Sequence, residues 1–355
     1  MAASRIDAVG DRPLRVAIAG AGFVAPFHIR GWEAQPGIRV VAICALDTRQ
    51  AEERARTYGI ANVYSTVEEM LDTEEPDVLD ICTPAAVHRQ HIAAAAGRAV
   101  HVLCQKPLAD SLDEARAIAR EAARVRLMVH ENFRFRPWYR ELARLLRSGV
   151  IGEPFYCRSD GRMAGTVLTA AYPHRPWSIE RQPYFAAAKP LLLVESVIHQ
   201  IDCCRFLFGD ASSVYARARR VSPHVAGEDL VTLLVTFSGL DAVIERSYAS
   251  RGYGEPMASE AVAIEGTRGT LFLEREGTIR IEIDVPGERR SERYAFDADE
   301  AYPQSYADTI GHFVTCLRQG RPFETGVEDN LKTLEIVFGA YRSIRLNEVV
   351  QLPLQ

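Results

Sequence analysis

Lys106 stands in Cys104-Gln105-Lys106-Pro107 and is one of only three lysines among 42 basic residues, the others being Lys189 and Lys332. Where arginine fills nearly every positive position, a retained lysine points to a task for a compact amine whose pKa can be tuned, which a guanidinium cannot supply. An ammonium at 106 can hydrogen-bond a reacting oxygen and stabilise a developing alkoxide. The bland alternative is a solvent-facing lysine in a loop, and for Lys332, in an exposed-looking helix, chance survival suffices. A second group is Glu195, His199 and Asp202, spaced i, i+4 and i+7 on one face of an expected helix over 194–208. A carboxylate one turn from an imidazole can orient it and stabilise its protonated form, which makes a general base near neutral pH. The same residues also suit a capped, ion-paired helix, with Asp202 pairing Arg205. Metal binding by these three lacks a further ligand. His88 and His91 read as a pair on a helix surface. Arg134, in Asn132-Phe133-Arg134-Phe135-Arg136-Pro137, can clamp a phosphate or sugar hydroxyls, or serve as an inter-domain ion pair. No metal site is expected.

A strand-like run from Leu14 leads into Gly20-Ala21-Gly22-Phe23-Val24-Ala25, and an amphipathic stretch follows. This is the G-x-G-x-x-G/A pattern of a dinucleotide site. The first glycine allows the tight turn, and the second lets a pyrophosphate approach the backbone. The small third residue lets helix pack on strand, with the phosphates at the helix N-terminus. Pro26 suits a first helical turn. The chain is therefore expected to bind NAD or NADP.

These residues need a frame. The first third alternates strands (14–20, 39–45, 78–82, 99–104, 127–130) with helical stretches. Two of those open on capping boxes, Thr66 with Glu69 and Ser111 with Glu114. Such alternation predicts an α/β fold with a doubly wound parallel sheet, whose ligands bind beyond the C-terminal strand ends. Gly20, Cys82-Thr83-Pro84 and Gln105-Lys106 should then converge on one crevice. From about Asn132 the pattern changes. An irregular stretch, 161–190, carries Arg162, Tyr172, His174, Trp177 and Tyr184 as pocket candidates. β-rich segments joined by short turns follow (213–221, 230–237, 242–248, 261–265, 270–274, 278–283), then helices at 305–318 and 327–342. They predict a second α+β domain with an open, mainly antiparallel sheet. The expected domains are a disordered tail, 1–12, a Rossmann domain, 13–132, and a substrate-binding and oligomerisation domain, 133–355.

A formal net charge of −5 argues against nucleic acid as main partner. No apolar run approaches the ~18 residues of a membrane span. The first dozen residues lack the apolar core of a signal peptide. Seven cysteines without zinc or redox spacing read as buried thiols in a cytoplasmic protein.

Taken together, the fingerprint at Gly20–Ala25, Ile81-Cys82-Thr83-Pro84 through His88, Cys104–Ala109, Asn132–Pro137, Val197–Asp202 and Ile264–Leu271 resemble the Gfo/Idh/MocA oxidoreductases over nearly the whole chain. The resemblance implies a Rossmann domain followed by an open-sheet domain often used for oligomerisation, giving a homodimer or homotetramer. It implies hydride transfer between a nicotinamide and a carbinol of a sugar, inositol or sugar derivative. Lys106 matches the lysine that touches the reacting oxygen, and His199 matches the base. Glu195 sits where an aspartate assists that base. The resemblance places the coenzyme on Gly20, Gly22, Phe23, Val24, Ala45, Cys82, Thr83, Pro84, His88, Gln105 and Lys106. The substrate falls to Lys106, Arg134, Trp177, Glu195 and His199. Three departures stand out: Gln105 for a usual glutamate, Glu195 for aspartate, and Ala45 where NAD-preferring members carry a ribose-binding aspartate. A glycosidase of the same fold that recycles its NAD, and a ligand-sensing regulator, are the alternatives. Retention of both Lys106 and His199 speaks against the regulator.

Overall fold

Six short strands form the first sheet: β1 (Leu14–Ala19), β2 (Ile38–Cys44), β3 (Asn62–Tyr64), β4 (Val78–Ile81), β5 (His101–Gln105) and β6 (Leu127–His130). All pair in parallel, in the order β3-β2-β1-β4-β5-β6. β1, β4 and β5 lie in the middle of the sheet and are buried along almost their whole length. This is the doubly wound arrangement expected of alternating strands and helices, and it brings the ends of β1, β4 and β5 side by side. β3, only three residues long, is the strand that the alternation did not disclose. The capping boxes form, with Thr66 accepting from Glu69 N–H at 3.3 Å and Ser111 from Glu114 N–H at 3.2 Å.

The second sheet has nine strands: β7 (Pro154–Arg162), β8 (Ala211–Arg219), β9 (Leu230–Phe237), β10 (Leu240–Ser247), β11 (Glu260–Gly266), β12 (Gly269–Glu274), β13 (Thr278–Val285), β14 (Glu288–Ala295) and β15 (Val350–Gln351). Their order is β14-β13-β12-β11-β7-β10-β9-β8-β15, antiparallel except where β10 runs parallel to β7. Along β9 the apolar Val231, Leu233, Val235 and Phe237 point inward, while Thr232 and Leu234 point outward. That alternation is the mark of a sheet with one covered face.

This computed structural model describes residues 12–253 and 260–354. It divides the chain into two compact units at Asn132/Phe133, with one late segment of the expected second domain assigned to the first. The first unit runs to Asn132 and also takes in Pro303–Leu331. The second comprises Phe133–Tyr302 and Lys332 onward. Packing explains the return of the late segment. A Cβ on Gly31 would meet Ile310 Cδ1 at 2.6 Å, so the glycine lets the two helices touch. Beyond β6, Val129 N–H donates to Thr325 O at 2.9 Å and Thr325 Oγ1 to Val129 O at 2.6 Å. The tail expected over 1–12 lies outside the described residues except for Arg12, which pairs with Asp77. The seven cysteines are buried free thiols. Among the described residues, no helix is long and apolar enough to cross a membrane.

Candidate active site

In the first unit the chain leaves β1 through Gly20, whose φ is +108°. A Cβ there would meet the Cys82 carbonyl oxygen at 2.7 Å, so the loop after β4 demands a glycine at this close approach. Gly22 differs, since a Cβ on it would find nothing within 4 Å. Open space thus lies before the helix Ala25–Glu33, which has Pro26 in its first turn and no acidic residue there. Backbone N–H groups and the positive end of a helix dipole suit a pyrophosphate at that point, and the residues present fit a dinucleotide.

His88 is not on a helix surface as the spacing suggested. It is fully buried, with Nε2 2.8 Å from Thr83 O and Nδ1 3.3 Å from Leu108 O. Burial lowers its pKa and keeps the ring neutral, so one nitrogen donates, and the shorter contact marks Nε2–H. His88 thereby pins Thr83, in the loop after β4. Past β2, Ala45 is followed by a fully exposed Leu46. The carboxylate of Asp47 caps the helix Thr48–Tyr58, accepting from Arg49 N–H at 3.1 Å.

Lys106 lies half-buried directly beyond β5, and its backbone N–H donates to Gln105 Oε1 at 3.2 Å. That bond orients the amide and turns its NH₂ toward His28 Nε2, 2.7 Å away. His28 therefore accepts at Nε2 and donates from Nδ1–H to Asp80 Oδ2 at 2.8 Å. Trp32 Nε1–H donates to the same oxygen at 2.6 Å. The glutamine that departs from the family pattern is thus the end of a buried hydrogen-bonded chain. Cys82 brings its sulfur within 4.8 Å of the His28 and Asp80 ligand atoms. Burial raises the Cys82 thiol well above its usual value, and the His28–Asp80 contact is a direct hydrogen bond.

In the second unit His199 and Glu195 line one cavity. Glu195 belongs to a wide π-turn, Leu193–Val197, and His199 to the α-helix Ile198–Phe208 that continues it. The His199 ring stacks on Phe133 with centroids 4.0 Å apart and planes 6° apart. The Arg136 guanidinium lies 3.6 Å from the same Phe133 centroid. Two groups so near one centroid must occupy opposite faces, so Phe133 separates imidazole from cation. Tyr184 donates to Glu195 Oε1 at 3.0 Å. Burial and the Glu195 charge both raise the Tyr184 phenol, which keeps it a donor.

Two expectations need correction. Asp202 does not join the cavity: fully buried, it receives Arg134 Nε at 2.6 Å and Nη2 at 2.5 Å, and Thr333 Oγ1 at 3.1 Å. Arg134 is therefore held in a bidentate buried pair within the second unit and does not line the cavity as a substrate clamp. Of the aromatic and charged candidates in 161–190 only Trp177 lines the cavity. Tyr172 and His174 are exposed, and Arg162 turns toward Asp160 and Glu245. The sequence reading missed Arg136, Arg181, Arg246, Tyr248 and Glu260, all on the cavity wall. A signal existed for two of them. In β10 the inward positions run Leu240, Ala242, Ile244, Arg246, and in β11 Glu260, Val262, Ile264. A charge at an inward register position is the anomaly to look for.

Comparison with known proteins bears on the family and the fold. Residues 14–133 match the oxidoreductase family with an NAD-binding Rossmann fold, and residues 139–272 match the Gfo/Idh/MocA C-terminal domain. The chain belongs to the Gfo/Idh/MocA oxidoreductases. Within that family it is 36% identical to a D-apiose dehydrogenase of Paraburkholderia graminis, over 95% of this chain and 89% of that protein. It is 31% identical to a D-apiose dehydrogenase of Rhizobium rhizogenes, over 96% and 97%. An Agrobacterium radiobacter oxidoreductase crystallised with NAD+, L-tartaric acid and magnesium superposes with a TM-score of 0.87. Its identity is 30%, covering 96% of this chain and 98% of that one. As a Gfo/Idh/MocA protein the chain is an NAD-binding oxidoreductase.

Proposed function

We propose that this protein is an NAD(P)-dependent dehydrogenase or reductase acting on a carbinol of a sugar, inositol or sugar derivative. The observation that carries the reading is His199 with Glu195 in one cavity of aromatic and polar side chains. Lys106, beyond β5 and one strand removed from the β1 that leads into the dinucleotide loop, supports it. Bound NAD or NADP supplies the hydride acceptor for the carbinol carbon. Lys106 donates to the carbinol oxygen and stabilises it as negative charge develops. His199 takes the hydroxyl proton, and Glu195 favours the imidazolium that results. Gly20, Gly22, Phe23 and Val24 hold the pyrophosphate, while Ala45 places no carboxylate against a 2′-phosphate.

The protein is further proposed to work in the cytoplasm, where buried free thiols stay reduced. It is also proposed to form a homodimer or homotetramer through the outward face of the nine-stranded sheet, where Leu234 is exposed. Aldoses, inositols and sugar acids, assayed in turn with NAD+ and NADP+, test the function. Reduction of either coenzyme by a member of the panel is expected. Cleavage of an aryl glycoside without net change in nicotinamide absorbance would move the assignment to the glycosidase of this fold.

A further inference from the structure

The cavity that holds His199 and Glu195 also holds a cation with no acid beside it. Arg246, at the inward end of β10, is only 6% exposed and lines that cavity. Among the described residues no carboxylate lies within ion-pairing distance of it, and its Nε has no hydrogen-bond partner. Its neighbour is Tyr248, whose ring centroid is 5.5 Å from the guanidinium carbon. Nearby acids are committed elsewhere. Glu260, across the sheet, pairs with Arg136 and accepts from the Tyr139 hydroxyl at 3.1 Å. Asp229 accepts from Thr166 Oγ1 at 2.8 Å and from the N–H groups of Val221 and Ser222.

The sheet makes room for this cation. Gly161 of β7 lies between Arg246 and Glu260 in register, and a Cβ on it would sit 1.7 Å from Arg246 Nη1. The guanidinium therefore rests on bare backbone at a buried position. A buried charge is strongly unfavourable unless something pairs with it, and here the open side is the cavity.

We propose that the substrate is a polyhydroxy carboxylate, a sugar acid in the broad sense, whose carboxylate is held by Arg246 with the Tyr248 hydroxyl. The proposal rests on the dehydrogenase reading for the carbinol chemistry and adds the group that anchors the molecule, a carboxylate left unchanged by the reaction. Its planar pair of oxygens matches the guanidinium fork. Cavity charge agrees, since among the described lining residues Arg136, Arg181 and Arg246 stand against the two carboxylates Glu195 and Glu260. Burial raises the Tyr248 phenol, yet Arg246, a Ser196 hydrogen bond and Arg181 bring it below its usual value, the sign of positive potential there.

The test uses matched probes on the full-length protein with saturating coenzyme: D-galacturonate against D-galacturonamide and D-galactose, and D-glucuronate against D-glucuronamide and D-glucose. Turnover and calorimetric binding are read on the same set. The acids are expected to exceed their amides by about a hundredfold in kcat/KM and in affinity. Arg246→Met should remove most of that margin, with a loss at least tenfold smaller for the neutral partners. Arg246→Lys should restore part of it, charge without the fork. Unliganded Arg246→Met should melt at or above the temperature of the unmodified protein. A clear fall would make Arg246 a structural cation and overturn the proposal. Neutral sugars bound and oxidised as well as the acids, or a loss in Arg246→Met equal for both, would overturn the proposal and leave the dehydrogenase reading standing. Acids bound with the expected margin but no coenzyme reduction by any probe would do the reverse. No binding of either acid overturns the carboxylate site.

Discussion

Lys106 and Lys332 are the same side chain in unlike settings. Lys332 is an exposed partner of Asp210 at 2.6 Å, a job that arginine would do as well. Lys106 sits half-buried beyond β5, backed by the Gln105–His28–Asp80 chain. Lys106→Ala is expected to lower the chemical rate about a hundredfold or more with coenzyme affinity little changed. Lys106→Arg should rescue little. His199→Ala should cost ~10²–10⁴-fold, partly regained at high pH. Pre-steady-state rates and coenzyme titration check these, and near-normal turnover in both alanine variants would remove hydride transfer by these groups. Coenzyme choice turns on Ala45. Asp47 caps its own helix through Oδ1, and Ala45 itself offers no carboxylate to an adenosine ribose. NADP should therefore compete with NAD. Ala45→Asp should strengthen NAD about ten- to a hundredfold while weakening NADP. A hundredfold preference for NAD in the unmodified protein, read by titration, contradicts this account. At this scale the sequence announced residue types well, because glycine spacing and scarce lysine are local signals. Arg134 was misjudged because its partner, Asp202, lies 68 residues away.

At the scale of elements, the π-turn Leu193–Val197 shows where pattern reading stops. Counting at the α-helical period put Glu195, His199 and Asp202 on one face. A turn closed by i→i+5 bonds displaces what precedes it, and three residues of α-helix already separate His199 from Asp202 by about 60°. The sequence offers no proline or glycine to mark the change. β14 escaped notice for a different reason: Glu288–Ala295 is almost wholly polar and exposed, an edge strand without alternation. The parallel sheet was legible because its strands are short apolar runs punctuated by capped helices. The loop after β4 carries its own prediction through His88. Burial lowers its folded pKa below the ordinary value of 6.5. Between the two values the unfolded chain binds the extra proton, so the stability is complete above about pH 6.5 and is lost as pH falls. In that interval this ring contributes a slope of positive sign, with about 1.4 kcal/mol per pH unit as its upper bound. Urea midpoints at pH 7.5 and 5.5 measure it, and equal midpoints would show that His88 accepts a proton without cost.

For the molecule as a whole, the exposed face of the nine-stranded sheet is the next question. Ion pairs such as Arg158–Glu245 and Arg280–Glu282 lie among Leu234 and other apolar side chains on that face. Light scattering at micromolar concentration should report a dimer or tetramer, and a monomer there would require some other cover for the sheet. The first unit carries a separate expectation. A fragment of residues 1–132 lacks the Pro303–Leu331 segment that packs on Gly31 and bonds to Val129. Alone it should show a broad, non-cooperative melt, and joined by a linker to residues 303–331 a sharp one. A sharp transition in the short fragment would deny the late segment its structural part. The same feature governs the order of events during synthesis. Multi-domain chains commonly complete their leading domain while the rest is still being made. Here the coenzyme-binding unit, although it starts the chain, must wait for Leu331, so it cannot be completed on the ribosome until the 170 residues of Phe133–Tyr302 have been made as well.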